Sequence, residues 1–80
     1  MHIHLHVDSM KAAEELSVIC KRFPEEIYLR SSEFCIDPKS TLGILAMMYS
    51  AKDQMYLDTA QMTEPHLSQL NEALTPFKMQ

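Results

Sequence analysis

The sequence predicts an open-faced α+β sandwich, β-α-β-β-α-β-α, with a four-stranded antiparallel sheet in the order 1-4-2-3 covered on one face by three helices. Two patterns predict it. Four short segments alternate apolar with polar residues or pair across a tight turn, as strands buried on one side do. Three longer segments carry apolar residues three and four apart, the spacing of an amphipathic helix. The strand order follows because right-handed crossovers place the first strand at an edge beside the fourth.

Each element has its own signal. Residues 2 to 7 set His2, His4 and His6 against Ile3, Leu5 and Val7, so the aliphatics face inward. Asp8 and Ser9 offer N-cap oxygens for a first helix over Lys11 to Arg22. Its expected stripe is Ala12, Leu16, Ile19, Cys20 and Phe23. Glu14 and Glu15 early and Lys21 and Arg22 late complement the macrodipole, and Pro24 stops the helix. Residues 27 to 30 and 33 to 37 read as a hairpin around Ser31-Ser32. That register sets Arg30 against Glu33, Leu29 against Phe34, Tyr28 against Cys35 and Ile27 against Ile36. A second helix spans about Thr41 to Ser50. A fourth strand spans 53 to 59, with Met55 and Leu57 inward and Tyr56 and Asp58 outward. The third helix starts near Glu64-Pro65 and carries Leu67, Leu70, Leu74 and Phe77, with Pro76 ending it or loosening its last turn.

Eighty residues suit a single domain, 1 to 80, and 46% hydrophobic content with one glycine excludes a disordered or collagen-like chain. A net charge of -4 leaves no basic face for nucleic acid. The longest apolar run, 44 to 49, is too short to cross a bilayer, so no membrane insertion is expected. Without a basic n-region and apolar h-region at the start, the expected location is cytoplasmic. Cys20 and Cys35 then read as free thiols, Cys20 packed and Cys35 the more reactive.

The segment Ile36-Asp37-Pro38-Lys39-Ser40-Thr41-Leu42-Gly43 carries the most chemistry. It puts a serine hydroxyl at the start of an apolar helix, where backbone N–H groups converge and negative charge is favoured. It resembles the segment around the regulatory serine of HPr, the small phosphocarrier family of the bacterial sugar phosphotransferase system. The family pattern there is Val or Ile, Asn or Asp, a small residue, Lys-Ser, two apolar residues and Gly. Pro38 replaces the small residue and Thr41 the first apolar one. The element order extends the likeness over nearly the whole chain.

The family's other motif, a His-Ala-Arg-Pro-like run, opens its first helix. Counting back from Arg22-Phe23 without a gap puts Ser9 at the phosphohistidine position, Lys11 at the arginine and Ala12 at the proline. A serine forms a stable phosphate ester and cannot replace the reversible phosphohistidine donor. A gap would offer His6 instead, but no arginine follows it at the required spacing. The resemblance therefore implies a regulatory binding module, not an enzyme and without a cofactor, phosphorylated on Ser40. Its partners would be proteins: HPr kinase, a transcriptional regulator or enzymes of the phosphotransferase system. Leu42 and Leu45 fall on the family's apolar contact patch, flanked by Lys39 and Thr41.

Other readings stay open on the residues themselves. Ser40 can serve as a helix cap alone. The second helix is apolar on more than one face, which fits a contact surface, deeper burial or self-association. His2, His4 and His6 share a strand face with spacing of about 7 Å, so a metal-binding protein using them, with Asp58 as a further ligand, is an alternative. A scaffold-only interaction protein is another. His66 reads as a surface residue of the third helix.

Overall fold

A computed structural model describes residues 2–31, 34–50 and 55–78. The elements are β1 (His2–Leu5), α1 (Met10–Lys21), β2 (Tyr28–Arg30), β3 (Cys35–Ile36), α2 (Thr41–Ser50), β4 (Met55–Asp58) and α3 (His66–Ala73), followed by a 3-10 turn at Thr75–Phe77. The sheet is antiparallel throughout and ordered β1-β4-β2-β3, as the crossover rule requires. Its inner face, with Ile3, Leu5, Leu29, Met55 and Leu57, is buried in one core with Leu16, Ile44, Met47, Leu70 and Leu74 from the three helices. No helix among the described residues is long and apolar enough to cross a membrane.

Local chemistry accounts for the element boundaries. Ser9 caps α1: its backbone is extended and its Oγ accepts from the Ala12 N–H at 3.1 Å. Glu64 reaches forward to the first turn of α3, accepting from the Ser68 N–H and hydroxyl. Pro76 does not end the chain's helical path but tightens it into the 3-10 turn, which keeps Phe77 in the core. The Phe77 carbonyl then accepts from the His6 N–H at 2.7 Å, and Lys78 bridges to Leu5 at the β1 edge.

Three expectations need correction. The buried stripe of α1 is Ala13, Leu16, Ser17 and Cys20, with Ala12 and Ile19 only half-buried. Contact with both α2 and α3 rotates the buried face, and Ser17 tolerates burial because its hydroxyl finds an acceptor. In the hairpin, Leu29 faces Ile36, Arg30 faces Cys35, and the Ser31 N–H donates to the Phe34 carbonyl. The pairing is thus two residues from the expected one, so every side chain keeps its predicted face. Arg30 pairs with Asp58 of β4, Nε to Oδ2 at 3.0 Å, while its expected partner Glu33 lies outside the described residues. β4 ends at Asp58, one residue before the expected end, with Thr59 buried just beyond it, while the expected start at Asp53 lies outside the described residues.

Candidate functional site

The corner between β3 and α2 is built from short-range contacts. The Asp37 carboxylate accepts from the Lys39 N–H at 2.9 Å, and the Asp37 carbonyl accepts from the Ser40 N–H at 3.0 Å. This is an Asx turn around buried Pro38, whose fixed φ suits the bend. Ser40 then starts α2. Its carbonyl accepts from the Ile44 N–H at 3.2 Å and its Oγ from the Gly43 N–H at 3.3 Å. Ser40 is exposed, so its hydroxyl is a cap that solvent reaches.

α2 divides into two apolar faces. Ile44 and Met47 are fully buried against the sheet. Leu42 is 79% exposed and Tyr49 78%, with half-buried Leu45 between them on the same side. Thr41 is half-buried beside Ser40. The sequence-predicted residues Ser40, Thr41, Leu42 and Leu45 therefore lie together on one helix end and flank.

Lys39 behaves differently from the expectation of a partner-facing cation. It is half-buried, and its Nζ donates to the Glu25 carbonyl at 3.0 Å. Its own carbonyl accepts from the Ser17 hydroxyl at 2.9 Å. Three anchors, on Asp37, Glu25 and Ser17, hold the residue before Ser40 in place. Glu25 is itself engaged, with Oε2 2.7 Å from His66 Nδ1. That hydrogen bond, more than any other contact, holds the Glu25 carboxyl below its ordinary range. The other carboxylate oxygen, Oε1, is buried without a partner. His66 also meets the edge of Phe23, with ring centroids 5.6 Å apart.

The sequence does not mark Ser17, Glu25 or His66 as site residues. A serine inside an apolar stripe was the one available signal for Ser17. Nothing local marks Glu25 and His66, which are 41 residues apart.

Ser9 and Lys11 occupy a separate place. Ser9 lies eight residues before Ser17, about 12 Å of helical rise from the contact with Lys39. Both are exposed, and the Ser9 hydroxyl is committed to the cap.

The histidines of the first strand do not converge. His2 and His4 lie on the open sheet face against the Tyr56 ring, with centroids 4.5 and 5.8 Å away. His6 lies beyond the strand, with Nε2 3.4 Å from Asp8. Asp58 is taken by Arg30 and by the Ala60 N–H, and the latter does most to hold its carboxyl below the ordinary range. Among the described residues no three His, Cys, Asp or Glu side chains group as a metal site. Cys20 is buried, and loss of solvation pushes its thiol up to about 12, while Cys35 is exposed.

Comparison of the chain with protein-family models, with curated proteins and with solved structures gives no match.

Proposed function

We propose that this chain is an HPr-like regulatory binding module, read out through Ser40 and the exposed flank of α2. The observation that carries the reading is the position of Ser40: a solvent-exposed hydroxyl capping a helix whose adjoining flank is apolar and exposed. A phosphate there gains about -1.5 to -2 charges beside first-turn N–H groups that have no intrahelical acceptor. It would also stand next to Leu42, so one modification changes the character of the surface that a partner touches. The Ser9 cap supports the same reading, since a hydroxyl holds the helix start where the family carries its phosphohistidine.

On this reading the chain binds and does not catalyse, works in the cytoplasm, and recognises a kinase and a protein target. Incubation with an HPr kinase and ATP, followed by intact-mass measurement, tests it. One phosphate is expected on the native chain and none on Ser40→Ala. No mass gain, or a gain that survives Ser40→Ala, defeats the proposal.

A further inference from the structure

The Glu25 carboxylate is buried more than is usual for a charge, with the side chain 19% exposed and one oxygen lacking any partner. Two basic side chains stand beside it. His66 reaches Oε2 from the first residue of α3, and Lys39 reaches the backbone carbonyl of Glu25 from the approach to α2. A charged imidazole at a helix N-terminus is disfavoured by the macrodipole, so protonated His66 depends on that carboxylate.

The surrounding titratable groups are already committed. Asp37 accepts from the Lys39 N–H, and Glu26 accepts from the Tyr28 hydroxyl. Glu64 accepts from Ser68, and Cys20 on α1 stays a neutral thiol. Glu25 Oε1 is the one carboxylate oxygen that is buried and unpartnered among the described residues.

We infer that Glu25, His66 and Lys39 form a proton-operated switch, in which the charge on His66 decides whether the Lys39 ammonium sits on the Glu25 carbonyl or on its carboxylate. In the structure His66 Nδ1 meets Oε2 while Lys39 holds the carbonyl, the arrangement the switch assigns to charged His66. When His66 loses its proton, its Nδ1–H still donates but no longer brings charge. Among the described residues Lys39 is then the cation left beside the carboxylate, and Oε1, which has no partner, draws its ammonium over. Histidine side chains in general change charge between about pH 5 and 8, which sets the range of the test. Because Lys39 directly precedes Ser40, the movement reaches the cap of α2. As regulation of the Ser40 surface this rests on the function proposed above. As a switch it is tested on unphosphorylated chain, so the two fail separately.

The test is an NMR titration of the labelled chain from about pH 5 to 8. The Lys39 Cε and Nζ signals and the Ser40 to Gly43 amides are followed beside the His66 ring. All are expected to trace one curve with the midpoint of His66. The curve should persist when His2, His4 and His6 are replaced by glutamine. It should vanish in Glu25→Gln, and in His66→Gln Lys39 should hold its high-pH shift throughout. Flat Lys39 signals while His66 titrates overturn the inference. So does a Lys39 curve unchanged in either single variant.

Discussion

Ser17 is the residue on which the approach to α2 leans most. Its hydroxyl is buried and its acceptor lies 22 residues away on Lys39, so Ser17→Ala removes a donor that solvent cannot replace. The expected cost is about 1 kcal/mol in a denaturant melt, with added amide exchange around Lys39 and Ser40. Gly43 runs the other way. Its φ is not positive, and a Cβ there would meet Ile36 at 3.4 Å, an ordinary contact. Gly43→Ala should therefore raise stability, by up to about 1 kcal/mol, through helix propensity. The two thiols differ as sharply. Cys20 is buried with its thiol pushed up to about 12, and Cys35 is exposed, so the native chain should react with a thiol reagent once, at Cys35. Labelling at Cys20 without unfolding would contradict the packing described. At this scale the sequence is a partial guide. Cys20 was legible from its place on the stripe, whereas Ser17 was not, because a serine reads as polar until its distant acceptor is known.

Among the elements, α2 separates a buried apolar face from an exposed one. Ile44 is fully buried, so Ile44→Ala should cost about 2–5 kcal/mol. Leu42 is 79% exposed, and Leu42→Ser should stay within about 0.5 kcal/mol of the native chain. If Leu42→Ser instead unfolds the chain, the flank is core and not surface. The excess of apolar residues over what one stripe needs is visible in the sequence, but it leaves exposure and deeper burial both open, and Leu42 and Leu45 come from the family resemblance. The β2–β3 register was less accessible. The expected and observed pairings differ by two residues and put the same side chains on the same faces, so periodicity alone does not choose between them. The observed register goes with the Ser31 N–H, which donates to the Phe34 carbonyl at 2.9 Å.

For the whole molecule, hydrogen bonds to carboxylates set the response to acid. The His66 hydrogen bond lowers Glu25, the Ala60 N–H followed by Arg30 lowers Asp58, and the Ser68 hydroxyl lowers Glu64. Each folded value lies below the unfolded one, so each contributes stability above the ordinary carboxylate range. That contribution is lost as pH falls from that range through the folded value. Thermal melts should therefore weaken progressively below about pH 4.5, and Glu25→Gln or Asp58→Asn should flatten the decline. An unchanged acid slope in both variants would remove these carboxylates from the account. The sheet order was legible because handedness and element order leave few topologies. The Glu25–His66 and Arg30–Asp58 pairs were not, since each joins residues that only the finished fold brings together. The proposed function makes one chemical claim: Ser9 would stand where a phosphocarrier holds its imidazole, and Ser40 would take the phosphate. Its most direct test offers the chain both phosphoryl sources, kinase with ATP and the general phosphotransferase enzyme with phosphoenolpyruvate, and measures the acid stability and position of the phosphate bound. The account predicts an acid-stable ester on Ser40. An acid-labile, base-stable phosphoryl group on a histidine would contradict it.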